Sequence, residues 1–271
     1  ITVVASAFFG AISGSNPATV AAIGGITVPR MKQKGYPEDV AAAVAASGGT
    51  LGVVIPPSIP MVTYAVTASV SVGTMFMAGV IPGLLLAAVL IATNIVICKK
   101  YDAAENGKVT LKAFAHSFKE ALLAIFMPVI ILGGIYGGLF TPTESAAVAC
   151  VYAFIISVFV YKELTLKDIY EIFRKSTVSS AVVLFVVSMS APFAWFMTNQ
   201  NIPTFIASSV LGLFTNKVAL LLMINVILLF LGCFLETQSI ILLVTPILLP
   251  IAASLGLSPV ALGTVSYTHL T

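Results

Sequence analysis

Between residues 13 and 19 the sequence reads Ser-Gly-Ser-Asn-Pro-Ala-Thr, and between residues 47 and 58 it reads Ser-Gly-Gly-Thr-Leu-Gly-Val-Val-Ile-Pro-Pro-Ser. Both stretches interrupt apolar sequence, and small hydroxyls, glycines and prolines at this density are not typical of a plain membrane span. In lipid, non-helical backbone is tolerated only where protein buries it or where it lines a watery cavity. We therefore predict that residues 13–19, called the first tip from here on, and the polar stretch at residues 47–58 line one binding site.

The composition indicates an all-α membrane protein. Of the 271 residues, 59% are hydrophobic and only 8% are charged, and the mean hydropathy is +1.10. A soluble domain carries about 25% charged residues. The basic residues fall in loop clusters rather than in a stripe, so a nucleic-acid partner is not expected. The three cysteines have neither metal-ligand nor disulfide spacing.

Apolar segments of about 20 residues, the length of a membrane-spanning helix, divide the chain. Residues 1–28 contain the first tip between two short arms, which favours a re-entrant hairpin, and residues 40–69 predict a crossing helix that is broken in its middle. A further apolar run, 217–255, is interrupted at Glu236-Thr237-Gln238-Ser239. The remaining predicted elements are spans at 74–98, 121–139, 144–161 and 177–198, an interfacial amphipathic helix at 162–175, and a short outer segment at 199–216.

With these spans, the basic clusters Arg30–Lys34, Lys99–Lys119 and Lys162–Lys175 all fall on one side, as the positive-inside rule requires of the cytoplasmic side. The hairpin around the first tip then opens to the cytoplasm, and a second hairpin at 217–255 opens to the far side. Glycine and proline are 19 residues apart in the first hairpin (10 and 29) and 18 apart in the second (232 and 250). Inverted repeats of this kind are typical of secondary transporters. Two ordinary spans joined at 236–239 would give the same sidedness.

The first tip and the stretch at 47–58 offer ligands for a cation. Ser13, Ser15 and Thr50 supply hydroxyl oxygens, Asn16 supplies an amide oxygen, and unwound backbone supplies free carbonyls. Hard cations prefer such oxygen ligands, and helix starts favour a carboxylate. The alternative is that small residues only allow helices to pack closely.

Other classes of function fit the sequence less well. An intramembrane enzyme would need a catalytic pair, yet no Asp lies in a predicted span and His116 lies in a basic loop. No phosphate-binding glycine loop is present, so energy is expected from an ion gradient rather than from ATP. An ion channel, which would show ion conductance rather than saturable uptake, remains an alternative.

Four motifs resemble a known family: residues 10–15 with 18–24, 49–52 with 55–60, 141–144, and 245–250. They are similar to the large membrane (permease) subunit of tripartite ATP-independent periplasmic (TRAP) transporters of the C4-dicarboxylate/sialic-acid type, over about residues 1–263. The resemblance implies an inverted-repeat, elevator-type fold of the ion transporter superfamily, with two re-entrant hairpins and a broken transmembrane helix. It also implies a multi-pass protein of a bacterial or archaeal inner membrane.

The resemblance implies sodium-coupled uptake of an organic acid anion, a dicarboxylate or a sugar acid, together with a small membrane subunit and an extracytoplasmic substrate-binding protein. It implies no cofactor other than sodium as the coupling ion. A stand-alone sodium/dicarboxylate symporter of the same architecture is the alternative, and it would need no binding protein.

The resemblance also implies two ion sites. Ser13, Ser15 and Asn16 would surround one sodium with the backbone of Gly52, Ile55 and Pro57, while Gly232, Glu236 and Thr237 would contribute to another. The complete set of residues that we expect at the first site is Ser13, Gly14, Ser15, Asn16, Thr50, Gly52, Ile55, Pro56, Pro57 and Ser58.

The chain is expected to divide into four parts and to be truncated at both ends. Residues 1–70 would hold the first hairpin and the unwound crossover helix, 71–176 the scaffold spans and amphipathic connecting helices, and 177–263 the second repeat with its hairpin. Residues 264–271 leave the apolar pattern and resemble a translated sequencing adapter, so we expect a non-native tail there.

Overall fold

The computed structural model describes residues 1–101, 111–213 and 217–270, and every regular element in these ranges is helical. The predicted all-α class is therefore confirmed for the described residues. Parts of the predicted basic loop (102–110) and of the outer segment (214–216) lie outside them. The helices are α1 (Thr2–Ser13), α2 (Asn16–Thr19), α3 (Gly25–Gln33), α4 (Glu38–Gly49), α5 (Leu51–Val54), α6 (Ile59–Thr67), α7 (Val72–Cys98), α8 (Leu111–Tyr136), α9 (Pro142–Ile155), α10 (Leu166–Asn199), α11 (Ile202–Leu213), α12 (Lys217–Gly232), α13 (Thr237–Ser254) and α14 (Pro259–His269), with π-helical turns at Val20–Gly24 and Ile156–Val160.

The chain forms two compact units. The first unit contains Ile1–Ile59 and Gly79–Lys162, and the second contains Pro60–Ala78 and Glu163–Thr271.

Several helices in the described ranges have the length and composition of membrane spans. There are four such helices, and in three of them only 11% of the apolar 18-residue stretch is buried inside the protein. Such extensive apolar exposure would be unfavourable in water and is typical of a surface that meets lipid. The candidates are Val72–Cys98, Pro142–Val160, Leu166–Asn199 and Thr237–Ser254, and a fifth if the bent pair Glu38–Val54 and Ile59–Thr67 counts as one broken span.

In the first unit, the segments on either side of the first tip form a helical hairpin. The chain turns at Gly14, and the Thr2 hydroxyl lies 3.9 Å from the Met31 sulfur at the other end of the hairpin. The hairpin packs closely on α4 and α5, which with the residues up to 58 we call the crossover segment (38–58): a Cβ built on Gly10 would lie 2.9 Å from the Gly52 Cα. Small residues allow such close approach of helix backbones. Glycine therefore brings the hairpin and the crossover segment into backbone contact.

The break in the crossover segment is shorter than the sequence predicted. Residues 47–54 remain helical apart from a turn at Thr50, and only Ile55–Ser58 leave the helix. Glycine costs a helix about 1 kcal/mol but keeps its N–H, whereas proline removes the donor and drives the preceding residue into an extended conformation. Ile55 accordingly has φ −84° and ψ 124°. The prediction of a break beginning at residue 47 was wrong, and we call Ile55–Ser58 the helix break.

Helices α8 and α9 form an antiparallel pair in the first unit. The Ser145 hydroxyl donates to the Ile131 carbonyl (2.9 Å), and the Tyr152 hydroxyl donates to the Leu123 carbonyl (2.8 Å). Thr141 caps α9, and Glu144 completes a capping box by accepting the Thr141 N–H. The chain turns at residues 137–140, so Pro142 and Thr143 already belong to α9 and Glu144 lies in its first turn.

In the second unit, the predicted amphipathic helix at 162–175 and the predicted span at 177–198 join in one helix, α10. Thr165 and Asp168 form a capping box at its start. No glycine or proline follows until Pro192, so nothing in the sequence stops the helix between the two predicted elements. Their separation was wrong.

Tyr64 anchors the core of the second unit. Its side chain is fully buried, and its hydroxyl donates to the Pro259 carbonyl at 2.6 Å. Gly263 lies against the ring, where a Cβ would collide with the ring carbons. Tyr64 thereby ties α6 to the start of α14.

The interruption at 236–239 lies between α12, which ends at Gly232, and α13. By its length and composition α13 is a candidate membrane span. This agrees with the alternative interpretation, in which two ordinary spans are joined at 236–239. The second re-entrant hairpin stays a prediction.

Candidate functional site

The first tip changes backbone conformation twice within two residues. Gly14 is left-handed (φ 61°, ψ 18°) and its N–H donates to the Gly10 carbonyl, which ends α1. Ser15 is extended (φ −142°, ψ 130°) and starts α2, but its side chain makes no capping hydrogen bond. Left-handed backbone is routine only for glycine, so Gly14 fixes the point at which the chain reverses.

The helix break leaves carbonyl groups without helical donors. The carbonyls of Gly52 and Val53 would accept from the residues four positions later, but these are Pro56 and Pro57, which have no N–H. The peptide bond between the two prolines is cis. Neither carbonyl at the end of α5 can therefore receive the hydrogen bond that a continuous helix would give it.

The structure brings the first tip and the helix break into direct contact. The Ile59 N–H donates to the Gly14 carbonyl at 3.3 Å, and a Cβ on Gly14 would lie 3.1 Å from the Pro57 carbonyl oxygen. A Cβ on Gly52 would collide with the Thr19 hydroxyl and lie 2.7 Å from the Ser15 carbonyl oxygen. The first tip therefore lies directly on the helix break and on the end of α5.

One side-chain oxygen of the first tip, Asn16 Oδ1, and one of the helix break, Ser58 Oγ, are buried without a hydrogen-bond partner. Ser58 is only 2% exposed. Leaving a buried polar group unpaired costs about 1–3 kcal/mol, so each such oxygen in a folded protein needs an explanation. An oxygen that lacks a donor is suited to a cation, and these oxygens carry no formal charge. Within the described residues no group of three His, Cys, Asp or Glu side chains has the arrangement of a metal site.

Thr50 has a local role in the structure. It is half-buried at the end of α4, where its hydroxyl donates to the Ser47 carbonyl at 2.8 Å. This bond lies within its own helix, so the Thr50 hydroxyl proton is occupied there. The structure thus explains the Thr50 side chain, which was predicted for the first site, by a hydrogen bond within the crossover segment.

Sequence reasoning missed Thr19. Its side chain is fully buried, and its hydroxyl contacts both Ser13 Oγ (2.9 Å) and the Ser15 carbonyl (2.8 Å). The spacing was available in the sequence, since a Thr hydroxyl in a helix reaches the carbonyl four residues earlier. The burial of that hydroxyl against Gly52 could not be inferred from the sequence.

At the second predicted site, the residues have helix-end positions in the second unit. Glu236 is exposed and caps α13 by accepting the Ser239 N–H at 3.1 Å, while the Thr237 hydroxyl donates to the Leu270 carbonyl at 3.0 Å. Gly232 is the last residue of α12. A contact that the sequence did not predict joins Thr63 of α6 to the Gln238 amide oxygen at 2.6 Å.

Comparison with known proteins identifies the family. The family described as "Tripartite ATP-independent periplasmic transporter, DctM component" matches residues 1–270. The chain belongs to the DctM family. Members of this family are transporter permease subunits, so this DctM-family chain is not an enzyme, in agreement with the prediction from sequence.

Several curated relatives are similar over nearly the whole chain. The isethionate TRAP transporter permease protein DctMQ of Oleidesulfovibrio alaskensis is 47% identical over 264 residues, which are 97% of this chain and 42% of the relative. The C4-dicarboxylate TRAP transporter large permease protein DctM of Rhodobacter capsulatus is 41% identical, covering 96% of this chain and 62% of the relative. The sialic acid TRAP transporter large permease protein SiaM of Vibrio cholerae is 37% identical, and the match covers 100% of this chain and 63% of the relative. This DctM-family chain thus spans about two fifths to just under two thirds of their lengths.

Proposed function

We propose that the chain is part of the permease subunit of a binding-protein-dependent TRAP transporter that couples uptake of an organic acid anion to sodium. The observation that carries the proposal is the contact of the first tip with the helix break in a DctM-family chain, together with a neutral, buried and unpaired side-chain oxygen on each of the two segments. Unwound carbonyls and helix ends are the groups that hold sodium in transporters with broken helices.

The donor set of the first site fits a monovalent hard cation. Ser13 and Ser15 offer hydroxyls, Asn16 and Ser58 offer unpaired side-chain oxygens, and Gly52 offers a carbonyl without a helical donor. Hard cations take oxygen ligands, and a site without carboxylates lacks the charge by which divalent cations are held tightly. Sodium is therefore the proposed ion, with Ser13, Ser15, Asn16 and the Gly52, Ile55 and Pro57 backbone as its ligands.

The substrate class and the partners follow from the family. The relatives are named for isethionate, C4-dicarboxylates and sialic acid, which are all organic acid anions. We extend this class to the present chain, together with a small membrane subunit, an extracytoplasmic binding protein and an inner-membrane location. The proposed fold remains the inverted-repeat elevator type with two re-entrant hairpins. Family membership favours this function over a stand-alone symporter or a channel.

Reconstitution of the complete transporter tests the proposed function. Proteoliposomes that contain the full-length permease and its small subunit should accumulate the organic acid only with an inward sodium gradient and with the binding protein outside. Uptake that is saturable but independent of the binding protein would indicate a stand-alone symporter. Uptake that persists when choline replaces sodium would contradict sodium coupling.

Asn16→Ala is expected to lower the apparent affinity of uptake for sodium, while the protein still folds. The amide oxygen of Asn16 is buried and unpaired, so its removal takes away a cation ligand without breaking a protein hydrogen bond. We expect the sodium concentration for half-maximal uptake to rise about tenfold, in keeping with the loss of one interaction with a charged group. Ser15→Ala should change the sodium dependence in the same direction.

The matched control for this variant is Asn94→Ala. Asn94 lies in α7 and its amide nitrogen donates to the Leu90 carbonyl at 2.8 Å, within its own helix. Its replacement should leave the sodium dependence of uptake unchanged. If Asn16→Ala and Asn94→Ala titrated alike with sodium, Asn16 would not be a ligand.

A further inference from the structure

Thr19 is the last residue of the first tip and contacts residues at its start. It is fully buried, in contact with Ser13, Ser15 and Gly52. Its backbone N–H donates to the Ser15 carbonyl at 3.1 Å, and its hydroxyl reaches the same oxygen at 2.8 Å. A carbonyl oxygen has two lone pairs. The Thr19 N–H and hydroxyl are thus the two closest donors to the Ser15 carbonyl and match its two lone pairs, while the Ser13 hydroxyl lies farther from this oxygen, at 3.3 Å.

The direction of the hydrogen bonds around Thr19 follows from counting protons. A hydroxyl has one proton. The Ser15 carbonyl, which only accepts, lies 2.8 Å from the Thr19 hydroxyl and 3.3 Å from the Ser13 hydroxyl, so we assign the Thr19 proton, the closer of the two, to it. The 2.9 Å contact between the two hydroxyls must then be a bond from Ser13 to Thr19. Ser13 in turn accepts the Ser15 N–H at 3.4 Å. The three groups close a ring in which each hydroxyl has a fixed proton.

This ring decides what the first tip presents to a cation. A hydroxyl coordinates a cation through a lone pair, and a proton that pointed at the ion would repel it. With its proton donated to Thr19, the Ser13 hydroxyl keeps a lone pair beyond the one that accepts the Ser15 N–H. Ser15, whose carbonyl accepts both donors of Thr19, can contribute through its side-chain oxygen. Thr19 itself need not touch the ion.

We propose that Thr19 is a positioning residue of the first site: its hydroxyl holds the first tip in the ring that turns the Ser13 lone pair towards the ion. The inference rests on the proposed sodium coupling and adds a residue to it. The contact of the Thr19 hydroxyl with Gly52 gives the residue a second role, because it joins the first tip to the end of α5. Only a residue without a Cβ fits at position 52.

Thr19→Val and Thr19→Ser separate the hydroxyl from the shape of the side chain. Valine keeps the branched shape and lacks the hydroxyl, whereas serine keeps the hydroxyl and lacks the methyl group. The measurement is the rise in melting temperature of the purified complete transporter as sodium replaces choline, since an ion that binds only the folded state stabilises it by mass action. For Thr19→Val we expect the sodium concentration at half-maximal stabilisation to rise at least about tenfold, a loss equal to one ordinary interaction with a charged group. Thr19→Ser should stay within about twofold of the parent protein, because it keeps the ring.

Thr27→Val is the matched control. The Thr27 hydroxyl donates to the Ile23 carbonyl at 2.8 Å, the same bond to the residue four positions earlier, in the same arm of the hairpin. It lies beyond the first tip, so Thr27→Val should titrate like the parent protein. If Thr19→Val does not purify, Thr19→Cys replaces it: a thiol is a weak donor, and the same measurement should give a smaller shift in the same direction.

The outcomes distinguish the inference from the function on which it rests. If the melting temperature of the parent protein did not change when sodium replaced choline, the proposed sodium coupling would be contradicted. A parent that responds, together with a Thr19→Val (or Thr19→Cys) variant that titrates identically, would overturn the role of Thr19 alone. A Thr19→Ser variant as defective as Thr19→Val would also overturn it, because the methyl group rather than the hydroxyl would then matter.

Discussion

Gly52→Ala is expected to remove most sodium-driven uptake. The new Cβ would collide with the Thr19 hydroxyl and lie 2.7 Å from the Ser15 carbonyl oxygen, while position 52 is itself fixed by contact with Gly10. Because two of these neighbours are backbone, they cannot move aside as a flexible side chain does. Overpacking of this kind costs about 1–3 kcal/mol. If the protein relieves the collision by displacing the first tip, the same free energy corresponds to sodium binding that is about fivefold to about 140-fold weaker.

The control for Gly52→Ala is Gly25→Ala in the hairpin. Gly25 has helical backbone (φ −56°, ψ −31°), and a Cβ at this position meets nothing within 4 Å. Alanine is a better helix former than glycine by about 1 kcal/mol, so Gly25→Ala should keep full uptake. Uptake and its sodium dependence would be measured for both variants at equal amounts of protein in the membrane. Normal sodium dependence in Gly52→Ala would show that the first tip does not need close contact with α5.

Tyr64→Ala is expected to be the most destabilising single substitution considered for the second unit. The ring is fully buried against Gly263, and the hydroxyl donates to the Pro259 carbonyl. Removing a buried aromatic side chain costs about 3–5 kcal/mol, which corresponds to a fall of roughly 10 °C in melting temperature. Tyr64→Phe keeps the ring and loses one hydrogen bond, so about 0.5–1.5 kcal/mol should be lost.

Tyr170→Ala is the matched control for Tyr64→Ala. Tyr170 lies in α10 with 70% of its side chain exposed. Its replacement should change the melting temperature of the purified protein by little. Equal melting temperatures for Tyr64→Ala and Tyr170→Ala would mean that Tyr64 does not anchor the core of the second unit.

The proposed first site could be predicted from the sequence because residues that break helices lie beside the oxygens that we propose as ligands. Gly14 and the Pro56-Pro57 pair act through local backbone chemistry, so their effect on the chain can be inferred without knowing the fold. The same chemistry explains the error at residues 47–54. Glycine only weakens a helix, and packing of Gly48 and Gly49 against the hairpin holds these residues in helical form.

What the sequence could not predict depends on contacts between distant segments. Thr19 is a common residue in a helix, and its role follows only from burial against Gly52. The contact between Thr63 and Gln238 joins residues 175 positions apart. The continuity of α10 was missed for another reason: a change of polarity was interpreted as a boundary, although no residue there ends a helix.

The most direct test of the proposed sodium site is a pair of experimental density maps of the complete transporter, one in sodium and one in choline. We expect a peak, present only in sodium, in contact with Ser13 Oγ, Asn16 Oδ1 and the Gly52 carbonyl oxygen, with residues 55–58 non-helical beside it. A continuous helix through residues 55–58, or a sodium map with no peak at these oxygens, would contradict the site.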